Sequence, residues 1–364
     1  MVEQELELRG AGSPYMNWAK LHSHAKWNLA TSGVPAYPLA KLGVSIEDLE
    51  IGGPTLYGYD PLLAAVSERY GVAKNSIVLA NGCSGANHVA MSFFLRHGDR
   101  GLVEDPTYEC IADTAKFTGA RVERFGRVPE QDWGLNFEEI EQGMVPETTL
   151  IAVTNLHNPT SALLDEDALR RLGGIAAANG AYVLVDEAYL DCLWEKRPKT
   201  AFHLGPNFIV TGSLTKVYGL SGLRCGWIFA PPAIASKIWR MNDLFSVNQA
   251  HPAERLGVIA FSQLDRIGAE SRMLIEGNHA IWREFVPALS KYLECGTPEF
   301  GSTTFPRLRA GSAEQFCARL RAEYETSVVP GHFFGMPDRF RVSLVSQPET
   351  LREGLRRMLT LLSS

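Results

Sequence analysis

Five short apolar runs, each closed by a polar cluster and followed by a stretch of helical spacing, constrain this chain most. The runs are Ile77–Ala80, Gly101–Glu104, Leu150–Thr154, Tyr182–Val185 and Phe208–Thr211. Each is too short for a buried helix and too continuously apolar for a strand with one wet face. They read as strands covered on both sides. Between them the apolar spacing turns helical, as in Asn136 to Gln142 and in the helix that Asp165 opens toward Ala178. Strands alternating with helices predict βαβ units and an α/β fold around a mostly parallel sheet of the seven-stranded type, sandwiched by helices. In such sheets ligands bind beyond the carboxyl ends of the strands. The polar clusters 81–86, 105–108, 155–161, 186–189 and 211–216 fall there.

After about Ile234 the pattern changes to long helices, expected over 234–245, 252–266 and 268–293, with Pro287 expected to kink or end the last. A smaller α+β unit should follow: a strand over Gly301–Leu308, a helix over Ala313–Glu323, strands at Ser327–Val329 and Phe340–Leu344, and a final helix over Glu349–Leu362. The first forty residues read as irregular and aromatic, with Tyr15, Trp18, Trp27 and Tyr37 needing a surface to cover them. At 364 residues two domains are expected. The division is a large domain over 41–275 and a small one built from 1–40 and 276–364.

Composition excludes several classes. A net charge of −6 argues against general nucleic-acid binding. The acidic Met1 to Arg9 lacks the form of a signal peptide, and no apolar stretch is long enough to span a membrane. The six cysteines show neither metal-ligand spacing nor a disulfide framework, which fits reduced thiols in a cytoplasmic protein. His88, His97, His157 and His332 have no metal-like spacing and read as structural or surface residues.

The clusters carry specific chemistry. Ser213-Leu214-Thr215-Lys216 ends an apolar run, and Arg224 follows eight residues on. Burial disfavours an ammonium, so Lys216 can be kept near neutrality as a nucleophile toward an aldehyde. Arg224 supplies a fixed charge for an anion. Asn81-Gly82-Cys83-Ser84-Gly85-Ala86 joins strand to helix, where backbone amides bind phosphate. Asp186 can pair with a protonated ring nitrogen, and Tyr189 can reach a neighbouring oxygen. Asn158 can donate to a ring oxygen, Tyr108 can stack on a flat ligand, and Arg341 on a late strand can clamp a carboxylate. Each piece also has a plain reading: an exposed loop lysine, an ordinary βα turn, a helix N-cap by Asp186, a core tyrosine, a solvent-facing arginine.

The ordered set resembles the class I/II pyridoxal-phosphate aminotransferases of fold type I, from about Asn28 to Met358. That resemblance implies pyridoxal 5′-phosphate (PLP) as cofactor, bound to Lys216 as a Schiff base. It implies that Lys216 then shuttles the substrate proton, and that Asp186 keeps the ring nitrogen protonated. Tyr189 and Asn158 would bind the ring oxygen and Tyr108 would stack on the ring. Cys83, Ser84, Gly85, Ser213 and Arg224 would hold the phosphate. Arg341 would bind the substrate carboxylate, with Gly33 and Asn158 beside it. Tyr57, or Tyr59, would reach the phosphate of a partner subunit, implying a homodimer with shared sites. Ser161 replaces the glycine usual after Asn-Pro-Thr, which should alter that turn. The expected reaction is amino transfer from an L-amino acid to a 2-oxo acid. Nothing identifies a second arginine for a dicarboxylic side chain. Ser32-Gly33-Val34, Thr304-Phe305-Pro306-Arg307 and Val329-Pro330-Gly331 are similar to capreomycidine synthase-like members, so elimination, replacement or cyclisation is the alternative. A non-catalytic PLP-binding sensor is a further one.

Overall fold

The computed structural model describes residues 12–364. The acidic stretch Met1 to Arg9 lies outside the described residues.

The large sheet has eight strands: β1 (Ile77–Asn81), β2 (Arg100–Asp105), β3 (Arg121–Val128), β4 (Gly134–Leu135), β5 (Thr148–Thr154), β6 (Tyr182–Asp186), β7 (Phe208–Ser213) and β8 (Cys225–Phe229). Their spatial order is β1-β8-β7-β6-β5-β2-β3-β4. The central strands β7, β6, β5, β2 and β3 are parallel, while β8 runs antiparallel to β1 and β7. The expected seven strands gain an eighth because β3 turns back through the two-residue β4. Burial explains why the runs are continuously apolar. Ile151, Val153, Val183 and Val185 face one core, while Leu150, Ala152 and Leu184 face the other. Each such valine, leucine or isoleucine contributes about 1.5–3 kcal/mol when fully covered.

The helix Leu264–Leu289 links two cores. Leu264, Ile267 and Ile275 pack with the large sheet, whereas Ile281, Trp282 and Leu289 pack with Leu29, Phe340, Val342, Leu355 and Met358. We propose the domain boundary at this handover, between Ile275 and Ile281. Pro287 lies in the last turns and neither ends nor splits the helix. The preceding helix stops at Phe261 rather than near 266, because Ser262 and Gln263 break the run.

The smaller unit departs from expectation in its strands. The run Gly301–Leu308 is two short strands, Thr303–Thr304 and Arg307–Leu308, because Phe305 turns into a core and Pro306 has no N–H to donate. Thr303–Thr304 and Val329–Pro330 flank Phe340–Ser343, antiparallel on both sides. Trp27–Asn28 pairs in parallel with Thr326–Ser327, which brings the N-terminal segment onto this unit. That segment is not irregular throughout. Pro14–Leu21 is a helix, started by proline in its first turn and capped by the Ser13 hydroxyl, which accepts from the Met16 N–H at 3.2 Å.

Candidate active site

Register puts the chemistry in one row. Thr154, Asp186 and Thr211 are paired across β5, β6 and β7. The residues just beyond them, Asn158, Tyr189, Ser213 and Lys216, therefore emerge side by side. They line a cavity of about 520 Å³ together with Gly33, Cys83, Ser84, Tyr108, Asp186 and Arg224.

Lys216 lines this cavity. Burial pulls its pKa down, Arg341 adds to that, and Tyr15, Asp186 and Cys83 oppose it. Its Nζ donates to the Ser32 hydroxyl at 3.2 Å. Gly33 lies against its stem: a Cβ there would sit 3.3 Å from the lysine Cδ, a tight contact that glycine avoids. The Val34 N–H to Lys216 carbonyl bond, 2.9 Å, fixes the two segments together.

Asp186 is buried with neutral partners. It accepts from Asn87 Nδ2 at 2.7 Å, the Ala188 N–H at 2.9 Å and the Cys83 thiol at 3.1 Å. Asn87 is itself oriented by Thr211, whose hydroxyl donates to Asn87 Oδ1 at 2.6 Å. Burial, then the nearby Asp186 charge, pushes the Cys83 thiol well up, so it stays protonated as a donor. No cation pairs with Asp186 among the described residues. A buried carboxylate so placed is suited to a cationic ring nitrogen.

One end of the cavity is built by the first turn of the helix Gly82–Phe94 and by Arg224. Arg224 spans to Asn81 O at 3.0 Å and Ser221 O at 3.4 Å, and bonds no carboxylate among the described residues. Gly82 has φ +69, and a Cβ there would lie 2.5 Å from the Arg224 guanidinium. Ser84 and Ser213 line this end, whereas Gly85 sits in the same turn without reaching the cavity wall.

Arg341 is 0% exposed. It donates to Asn158 Oδ1 at 2.9 Å, Tyr15 OH at 2.9 Å and Ala30 O at 2.8 Å, and its Nε has no partner. No carboxylate pairs with it among the described residues. The reading of a solvent-facing strand arginine is therefore wrong. Arg341 lies one side chain behind the cavity wall, covered by Tyr15 and Asn158.

Other residues differ from their expected places. Tyr57 is 48% exposed, bonds Asp243 at 3.2 Å and lies away from this cavity, while the Tyr59 ring packs on His251. The Ser161 turn keeps a positive φ of 65 despite the side chain, because the Ser161 hydroxyl donates to Thr303 O at 2.8 Å. His157 is buried, bonded to Thr160 and the Pro106 carbonyl, and burial holds its pKa well down. The loops 242–251 and 331–337 do not line this cavity. The helix Pro14–Leu21 does, through Tyr15, Met16, Ala19 and Lys20. Tyr15, Ser32 and Asn87 were missed. Asn87 had a signal, standing one helical turn after Cys83 on the same face.

The residues fit PLP. An amine of lowered pKa, a buried aspartate without a cation, an arginine at a helix start and a buried arginine without an anion match an aldehyde, a ring nitrogen, a phosphate and a substrate carboxylate. No group of three or more metal-ligating side chains occurs among the described residues.

Comparison with known proteins agrees. Residues 51–358 match the family of class I and II aminotransferases. The chain is 28% identical to capreomycidine synthase of Streptomyces vinaceus, over 94% of this chain and 92% of that protein. A PLP-dependent aminotransferase structure from Streptococcus suis superposes with a TM-score of 0.88 at 26% identity, covering 96% of each chain. The PLP-dependent cyclase OrfR superposes at 0.86 with 24% identity over 98% of each chain, a likeness of fold. The large sheet with its flanking helices, the lysine-centred cavity and these matches make the chain a PLP-dependent enzyme of fold type I, and it belongs to the class I and II aminotransferase family.

Proposed function

We propose that the protein transfers an amino group from an L-amino acid to a 2-oxo acid. The observation that carries this reading is the pairing of Lys216, an amine of lowered pKa, with two buried charges that lack counterions, Asp186 and Arg341. Bound PLP supplies an aldehyde that takes up amines and a ring that accepts the electron pair left when the substrate Cα loses its proton. The protein's residues do the rest. Lys216 would hold the aldehyde, and its free Nζ would take and return the Cα proton. Asp186 would keep a proton on the ring nitrogen. Asn158 and Tyr189 would bind the ring oxygen, and Tyr108 would cover one ring face. Cys83, Ser84 and Gly85 (chiefly by backbone), Ser213 and Arg224 would bind the phosphate. Arg341 receives the substrate carboxylate, which displaces the Tyr15 hydroxyl from the guanidinium.

We further propose a homodimer in which Tyr57 serves the partner's phosphate. Support comes from the exposed apolar residues Ile46, Ile51 and Leu56 on one segment and Leu244, Phe245 and Val247 on another, joined by the Tyr57–Asp243 bond. An apolar face of this kind suits a second protein surface.

The second reading is cyclisation or elimination from the same substrate carbanion, favoured by the likeness to capreomycidine synthase. One experiment separates them. The purified protein is loaded with PLP and mixed with single amino donors. Transamination converts the cofactor to its aminated form and releases one 2-oxo acid per site, read by absorbance. Cyclised or eliminated product with no donor ever aminating the cofactor overturns the proposal. Lys216→Ala should lose the yellow colour and turnover together.

A further inference from the structure

We propose that Ser32 is a positioning residue that holds the free amine of Lys216 and the hydroxyl of Tyr189 in one hydrogen-bonded chain. The inference rests on the reading of Lys216 as the proton carrier and assigns the group that places it.

Ser32 is 7% exposed. Its Oγ lies 3.2 Å from Lys216 Nζ and 2.8 Å from the Tyr189 hydroxyl. Among the described residues it is the sole hydrogen-bond partner of either group. The backbone leaves Ser32 little freedom: Gly33 packs on the lysine stem, and the Val34 N–H bonds the Lys216 carbonyl. The spacing between Ser32 and Lys216 is thus set by neighbouring peptide groups, not by a mobile loop.

A hydroxyl donates one bond and accepts two, so Ser32 can serve both neighbours at once. It accepts from the Lys216 ammonium while Tyr189 donates to it. Equally, it turns its own proton toward Tyr189, freeing the phenolic O–H to point at a ring oxygen. A flexible lysine released from the aldehyde needs such an anchor to stay within reach of the substrate Cα. The groups facing Lys216 are Tyr15 from the N-terminal helix, Cys83 from the helix after β1, Asp186 at the end of β6, Tyr189 just beyond it, and Arg341 from the small unit. Ser32 bonds Lys216 directly, and it fixes position without adding charge.

The test uses the full-length protein with Ser32→Ala and Ser32→Thr. Two readouts are taken. First, in the protein freed of PLP, the labelling of Lys216 by an amine-reactive reagent is followed against pH by mass spectrometry. The bond to the ammonium is charge-assisted and favours the charged form, so Ser32→Ala should move the labelling midpoint to lower pH, and Ser32→Thr should restore it. Second, with PLP bound, Ser32→Ala should lower kcat about five- to tenfold, the worth of one hydrogen bond, with donor KM nearly unchanged. Ser32→Thr should recover most of kcat. An unchanged labelling midpoint, or equal losses for both variants, overturns the proposal. Retained turnover in Lys216→Ala would instead overturn the reading on which it rests.

Discussion

Replacing Arg341 with glutamine tests the acid clamp and has a magnitude that follows from its contacts. Of the guanidinium's N–H groups, three are engaged by Asn158, Tyr15 and Ala30, and the Nε–H has none. A carboxylate that takes the Nε–H and displaces the Tyr15 hydroxyl gains two charge-assisted bonds, about 1.5–3 kcal/mol each. The guanidinium's bond to the Tyr15 hydroxyl is surrendered and the carboxylate is dehydrated, leaving a net of about 3 kcal/mol. At about 1.4 kcal/mol per decade, Arg341→Gln should lower kcat/KM for amino acid donors roughly a hundredfold. The assay compares each amino acid with the amine that lacks its carboxylate. The amine should react slowly with both proteins and lose less than about threefold on substitution, since it never engaged the clamp. Equal losses for both donors would refute the reasoning and make Arg341 a structural residue whose removal damages the cavity.

Two further outcomes follow from charge. Burial raises Glu187 to about 7 while it accepts from the Ala201 N–H. Its neutral form is favoured in the fold, so its contribution to stability is complete below the ordinary carboxyl range and is lost as pH rises through about 7. Glu187→Gln should therefore flatten the pH dependence of the thermal midpoint over that window, stabilising the protein above pH 7 by at most about 3 kcal/mol; an unchanged profile would contradict it. Lys20 lines the cavity as an exposed cation, with no ion pair among the described residues. Lys20→Glu should shift kcat/KM by about two- to fivefold against donors with a distal carboxylate and toward those with a distal amine, read in a donor screen.

The large sheet was legible because its strands are buried on both faces, which leaves runs such as Val183-Leu184-Val185 that no solvent-facing element carries. The gathering of the candidate residues was legible for the same reason, since Asp186 and Lys216 stand where buried strands end in polar residues. Two-residue strands such as Thr303–Thr304 leave no period to read, so the small unit was blurred. The helix Pro14–Leu21 did carry a signal, a serine cap before proline, but its many aromatic residues suggested a covered loop. What sequence alone did not disclose was relative placement. Arg341 lies behind Tyr15, and Ser32 meets Lys216, across separations of 326 and 184 residues. Contacts of that span exist only once both cores have formed.

Glu109 gives the N-terminal helix a significance beyond its length. One carboxylate oxygen accepts from the Ser13 hydroxyl and the Tyr15 N–H, each at 2.8 Å, and so pins the start of the helix to the large unit. The cavity wall from Tyr15 to Lys20 is thereby tied to the large unit through Glu109 and to the small unit through the Arg341–Tyr15 bond, while the reacting groups are rooted in the sheet. Changes confined to Met16, Ala19 and Lys20 should therefore alter which donor is admitted while leaving the sheet-borne groups in place.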